Sequence, residues 1–172
     1  MKKIPSYVNL RVPHCSQGVN SACCGPCCLK ELGDFWKLKN SRTKKNYSKQ
    51  SLVRLCKTTN ANGTTDEDMF MVLADMGLYP IQIKTLRHIF AFLNIGYPIL
   101  VATEDNEGYS NHWTVIKGYD LKDEDGESFI LSDPLYGKNY RKSITFTMRS
   151  IHRAGNFIYS VKKIFPYLIS RL

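Results

Sequence analysis

Acidic residues are in short supply: 15 Asp and Glu stand against 24 Lys and Arg, for a formal charge of +9 and a pI near 9.3. That balance favours acidic partners, although a basic surface is in the first place a solvated one. The features that turn positive charge into nucleic-acid recognition are missing. No recognition helix, zinc finger or RNA-recognition motif accompanies the basic run Lys37–Lys49 or the pair Lys162-Lys163, so no nucleic-acid partner is expected. Long hydrophobic runs are missing too. The longest, Ile89 to Ala102, is broken by Asn94, Gly96 and Pro98 and is too short to span a bilayer, so no transmembrane segment is expected. The basic start Met1-Lys2-Lys3 leads into no apolar stretch, so no secretory signal is read. The expectation is a cytoplasmic protein, or one exported by a signal-less route. Repeats, low-complexity runs and linkers are absent as well, and residues 1–172 read as a single domain.

A second set of metal ligands is the last absence. Cys24-x-x-Cys27 has zinc-like spacing, with His14, Cys15 and Cys23 nearby, but only Cys56 follows as a further cysteine. A structural zinc site draws a second ligand pair from well downstream, and ligands crowded at one helix start do not readily close a tetrahedron. The reading is therefore no metal and no cofactor, with a zinc-binding or nucleic-acid-binding module kept as the non-enzymatic alternatives.

Cysteine is what the chain does have. Five of its six fall between positions 15 and 28. A disulfide framework spreads its cysteines along the chain, so this clustering reads as reduced thiols. Cys15, Cys27, Cys28 and Cys56 are expected to be small buried hydrophobes.

Within that cluster, Gln17 to Leu32 reads as a loop ending on a cysteine at the mouth of a helix. Pro26 suits the first helical position, and Cys28, Leu29, Leu32, Phe35 and Trp36 recur at helical spacing over about residues 25–38. Cys24 then falls near the N-cap, where free N–H groups and the helix dipole favour thiolate over thiol. Gly25 is expected to leave room beside the sulfur for a substrate backbone, and Gln17 to bring an amide donor near it. A nucleophilic cysteine needs a base and a group that orients the base. His112 opens one expected strand (113–119), and Asp133 closes the next (129–132), with an acidic turn at 120–127 between them. A strand–turn–strand pair brings those two ends together.

Gln17, Cys24-Gly25-Pro26 opening a helix, His112 opening a strand and Asp133-Pro134 closing the next stand in an order that resembles the papain-like cysteine peptidases of the C39 and C39-like type. Gly63-Thr64-Thr65 before a helix and Leu93 to Val101 are similar to the middle section of that family, so the resemblance spans nearly the whole chain. It implies an α+β fold of the papain-like kind, with N-terminal helices packed on a C-terminal antiparallel sheet. It also implies a hydrolase acting on a peptide or protein substrate. Carried over, Cys24 is the nucleophile, His112 the base, Asp133 the group that orients it and Gln17 the oxyanion donor. The family places glycine directly after the reactive residue, which selects Cys24 over Cys23. Many C39 domains are joined to exporter membrane and ATPase parts and cut leader peptides after double glycine; neither part occurs in these residues. Attack by Cys24 would give an acyl-thioester, released by water in a peptidase or deamidase and by an amine in a transferase. An effector or toxin acting on a host protein is accordingly the alternative to a peptidase.

Elsewhere, Ser48 or Ser51 is expected to cap a short helix carrying Leu52 and Leu55, and Thr65 and Thr85 to cap two more, each by accepting an early backbone N–H. Residues 1–14, 78–83, 98–103 and 157–164 read as extended, 146–154 as a helix, and 136–142 as a loop. Loops 37–49 and 104–110 are expected to shape the cleft.

Overall fold

The structure, a computed structural model, describes residues 4–18, 21–104 and 111–163. Along the chain run β1 (Tyr7–Asn9), α1 (Cys24–Phe35), α2 (Lys49–Leu55), α3 (Asp66–Asp75), β2 (Leu78–Gln82), α4 (Leu86–Asn94), β3 (Ile99–Glu104), β4 (Asn111–Asp120), β5 (Ser128–Asp133), β6 (Gly137–Ser143), α5 (Ile144–Arg153) and β7 (Ile158–Lys163). The strands form one antiparallel sheet in the order β2-β7-β3-β4-β5-β6, with β1 also pairing to β4. This is the α+β arrangement of the sequence reading: the extended segment expected at 78–83 is β2, between α3 and α4, and the helix expected at 146–154 is α5, which begins two residues earlier.

Side-chain alternation along the strands divides the core into two layers. Leu100, Ala102, Trp113 and Val115 face one way and bury Cys28, Leu29 and Leu32 of α1, Leu52 of α2 and Met69 and Leu73 of α3. Ile99, Val101, Ile116 and Leu131 face the other way, onto Ile89 and Leu93 of α4 and Ile144 and Ile151 of α5. The paired residues Leu100–Val115 and Ile99–Ile116 keep this division in register. Burying a Leu or Ile side chain of this kind contributes about 1.5–3 kcal/mol.

The caps follow local chemistry. Ser48 and Ser51 form a reciprocal capping box at α2, and the Thr65 and Thr85 hydroxyls accept from Asp68 and His88 N–H at α3 and α4. The helix α1 starts earlier than expected. Cys23 is its N-cap, Cys24 its first residue, and Pro26 its third. Proline is harmless there for the same reason as at the first position, because none of the first four N–H groups has an intrahelical partner.

The largest departure is β6, which the sequence reading takes as a loop. Its residues are mostly polar (Lys138, Asn139, Arg141, Lys142), and it borders the sheet with only β5 as neighbour. A charged edge strand carries little of the β-branched and apolar signal by which strands are recognised. Within the basic 37–49 loop, Leu38 and Tyr47 are buried. Residues 105–110 of the expected 104–110 loop, and Ile164 of the last strand, lie outside the described residues.

One glycine matters for placing the N-terminal segment. A Cβ on Gly118 of β4 would collide with the Val8 carbonyl of β1. Its absence lets β1 lie against β4, and Leu10 N–H then donates to the Lys117 carbonyl at 2.8 Å, aiming the following residues toward the start of α1.

Candidate active site

The first turn of α1 meets the adjacent ends of β4 and β5. Cys24 is buried to 8% exposure, and its thiol lies against the His112 imidazole. The other side of that imidazole is engaged by Asp133, with Nε2 2.9 Å from Oδ1, which leaves Nδ1 for the sulfur. Leu135 and Tyr136 N–H donate to the same Asp133 oxygen at 2.9 and 3.0 Å. The carboxylate is thus fixed by the turn that ends β5, and the imidazole by the carboxylate. Tyr136 meets the His112 ring edge-on at 6.4 Å between centroids.

The electrostatics follow from this packing. Burial by itself would raise the Cys24 pKa. It is outweighed by the hydrogen bond and charge of His112 and by N–H groups of Trp113 and Gly25 directed at the sulfur, so the net shift is downward. For His112, burial pulls downward, but hydrogen bonds and charges from Asp133 and Cys24 prevail and raise it to about 9. Asp133 is held below its usual range, the His112 contacts and two backbone N–H groups overcoming the opposing effect of burial. Together these shifts favour a thiolate–imidazolium pair near neutrality.

Gln17 reaches the same place along a segment without regular structure. Its N–H donates to the Pro134 carbonyl at 2.9 Å, and Lys49 Nζ donates to the Ser16 and Gln17 carbonyls at 2.9 and 2.7 Å. Its side-chain oxygen is buried with no partner among the described residues. Gln17, Cys24, His112 and Asp133 all line one cleft of about 590 Å³. The structure therefore brings the four sequence-predicted site residues together.

Two expectations about the cleft need correcting. Beside Gly25, a Cβ would lie 2.7 Å from the Thr64 hydroxyl oxygen, so the room left by this glycine is taken by Thr64 and not by a substrate backbone. Nor does the 37–49 loop contribute to the lining: the wall near Cys24 is the turn Asn60–Asp66, and Leu135, Tyr136 and Lys142 line the cleft as well. Trp113 Nε1 donates to the Thr64 carbonyl at 3.3 Å, which ties the 60–66 turn to β4. Among the described residues, the charged lining apart from Asp133 is Asp66, Glu104 and Lys142, with no surplus of basic over acidic groups.

All six cysteines are free thiols. Cys27, Cys28 and Cys56 are buried as expected, but Cys15 is only partly covered, and its thiol lies beside that of Cys27. Among the described residues no three His, Cys, Asp or Glu side chains are placed to hold a metal ion, and no helix is long and apolar enough to cross a membrane.

Sequence reasoning passed over Glu31, Ser132 and Lys49, which brace the site from behind. Glu31 did leave a signal: it falls in the apolar stripe of α1, seven residues after Cys24, where a charged residue is out of place.

A model of the Peptidase_C39 like family matches residues 9–159. No curated protein matches the chain. Among solved structures, a candidate C39-like peptidase from Bacillus anthracis superposes with a TM-score of 0.69 at 17% identity, over 93% of this chain and 99% of that one. A double glycine motif protease of an AMS/PCAT transporter, in complex with a leader peptide, gives 0.66 at 15% identity, over 91% and 95%. Bromelain from Ananas comosus, in complex with E64, gives 0.62 at 12%, over 94% and 100%.

Proposed function

The chain belongs to the C39-like family of cysteine peptidases, and we propose that it cleaves a peptide bond with Cys24 as nucleophile, His112 as base and acid, Asp133 as the orienting group and Gln17 as oxyanion donor. The observation that carries this reading is the continuous chain of contacts from the Cys24 thiol through His112 to Asp133 at the mouth of the cleft.

Cys24 thiolate attacks the scissile carbonyl carbon, and the carbonyl oxygen takes up the negative charge. The Gln17 amide and the free N–H groups of the first turn of α1 stabilise that oxyanion. Collapse of the tetrahedral intermediate expels the amine, which takes its proton from the His112 imidazolium. Water, deprotonated by the now neutral His112, then attacks the thioester, releases the acid and returns Cys24 to the thiolate. Asp133 holds the imidazole through Nε2 throughout, so that Nδ1 stays directed at the sulfur and the leaving group. The cleft volume of about 590 Å³ lies in the range of ligand-binding sites. The leader-peptide complex of the transporter protease supports the same kind of partner.

The test is incubation with a proteome-derived peptide library, followed by mass spectrometry. New fragment pairs support the peptidase reading. A gain of about one dalton on glutamine-containing peptides, without fragments, contradicts it and identifies a deamidase on the same thiol chemistry.

Gln17→Ala gives a narrower prediction. A donor that acts on the oxyanion contributes in the transition state and little in the ground state. With the best-cleaved library peptide, kcat is expected to fall by roughly a hundredfold or more while KM stays nearly unchanged. Alkylation of Cys24 by iodoacetamide, which builds no oxyanion, is expected to stay close to the wild-type rate. Parallel loss of both activities would remove Gln17 from the donor role.

A further inference from the structure

Glu31 is fully buried, two turns beyond Cys24 on α1. One of its oxygens, Oε1, accepts from the Cys15 backbone N–H at 2.9 Å and from the Ser132 hydroxyl at 2.9 Å, and lies 3.2 Å from His14 Nδ1. His14 Nδ1 also lies 3.3 Å from the Ser132 hydroxyl. The second oxygen, Oε2, is buried with no partner among the described residues. Cys15 stands two residues before Gln17, and Ser132 directly precedes Asp133. The segments that carry the donor and the orienting group are thus bound to a single oxygen, on the helix that carries the nucleophile.

An apolar side chain would fill this position in the α1 stripe without the desolvation cost that a buried carboxyl carries. What it could not do is accept the Cys15 N–H and the Ser132 hydroxyl. The Cys15 N–H sits in a stretch with no helix or strand to satisfy it. Other ties on that stretch include His14 Nδ1 to the Ser132 hydroxyl, the Gln17 N–H to Pro134 and the two bonds from Lys49, and the Cys15 thiol lies beside that of Cys27. Burial pushes the Glu31 carboxyl up to about 8, more than its donors pull it down. A neutral carboxylic acid keeps a carbonyl acceptor, so a glutamine at this position retains the same two bonds.

We propose that Glu31 is a positioning residue, tying the Gln17 segment to the Cys24 helix and the Asp133 strand so that the Gln17 amide stays over the developing oxyanion. The inference rests on the roles given above to Cys24, His112, Asp133 and Gln17.

Three readouts test it in wild type, Glu31→Leu and Glu31→Gln: kcat and KM on the best-cleaved library peptide, site-mapped alkylation of Cys24 by iodoacetamide, and backbone amide exchange at Cys15 and Gln17. In Glu31→Leu, kcat is expected to fall about tenfold or more with KM within about twofold. Cys24 alkylation should stay within about twofold, and the Cys15 amide should exchange about tenfold faster or more. Glu31→Gln is expected to restore most of kcat and the amide protection, which a role in bulk packing alone does not require. Unchanged kcat and exchange in Glu31→Leu overturn the proposal, as does a parallel loss of turnover and alkylation. Should Glu31→Leu fail to fold, wild type decides: a Cys15 amide that exchanges freely shows that Glu31 does not hold the segment, and a slow one that Glu31→Gln preserves supports the tie. Library peptides left uncut by wild type overturn the peptidase reading and with it the catalytic meaning of the tie. Cut peptides with an indifferent Glu31→Leu overturn the tie alone.

Discussion

Cys24→Ala is expected to remove peptide cleavage by a factor on the order of 10⁶, the scale seen when the nucleophile is taken from a serine-peptidase triad. The alanine leaves the oxyanion donors and the cleft in place but offers no atom to attack the carbonyl. The fold should survive, because Cys24 lies at the edge of the core, in the first turn of α1, and one sulfur is lost from a site already 8% exposed. The loss should amount to roughly 1 kcal/mol, typical of a small core truncation. Cys23→Ala is the matched control. Cys23 is the N-cap of α1, its side chain makes no cap hydrogen bond, and it is only partly covered, so most activity should remain. Unfolding midpoints measured beside turnover separate chemistry from folding. Full turnover by Cys24→Ala, or its loss in Cys23→Ala, would shift the nucleophile by one residue or remove it.

His112→Ala carries the second-largest effect, a fall in kcat/KM of about 10³–10⁴-fold, because base, acid and the partner of the thiolate go together. The pH dependence is the more telling readout. With His112 present the Cys24 pKa is lowered despite burial. Without it, burial is opposed only by the Trp113 and Gly25 N–H groups, and the thiol pKa should rise at least to the free range near 8.5. Iodoacetamide labelling of Cys24 below pH 7 should therefore slow sharply in the variant and recover as pH climbs. In wild type the ion pair lasts until His112 loses its proton, so activity should fall off near pH 9, where the raised His112 pKa lies. This alkaline limb belongs to the coupled pair and not to either group alone. Asp133→Asn should be milder. An amide oxygen still accepts from His112, Leu135 and Tyr136, but the negative charge that helped raise His112 is gone, so the alkaline limb should move below pH 9. A His112→Ala protein that still labels rapidly at acid pH would show that the thiolate is paired with another group.

The parts of this molecule that could be read from the sequence are those decided by a few neighbouring residues. Thr65 and Thr85 cap their helices because a short hydroxyl side chain reaches N–H groups three residues on. His112 and Asp133 could be expected to meet because one opens and the other closes strands joined by a short turn, and β4 and β5 do pair antiparallel with those ends together. Pro26 suits the first position of α1 but stands third, because proline is tolerated throughout the first turn and so marks a helix start without fixing its register. β6 leaves little signal in the sequence because it gains its place from the β5 ladder and not from its own polar side chains. The contacts of Glu31 were out of reach altogether. Its bond to Ser132 joins residues 101 apart in the chain, and nothing local distinguishes that partner from other serines. Gly25 shows the same limit in another form. That a side chain is excluded beside Cys24 is legible from the residue type, but that Thr64 is what fills the space comes only from the fold.

The central claim is that one thiol, Cys24, performs the chemistry, and partial alkylation tests it most directly. Wild-type protein is treated with iodoacetamide for increasing times. The fraction of Cys24 modified is then mapped by mass spectrometry against the other five cysteines and plotted against the rate at which the best-cleaved library peptide is cut. The expected result is a straight line on which activity reaches zero as Cys24 labelling reaches completion, whatever the state of Cys15 or Cys23. Cleavage that persists with Cys24 fully modified, or vanishes while Cys24 is still free, would contradict the account.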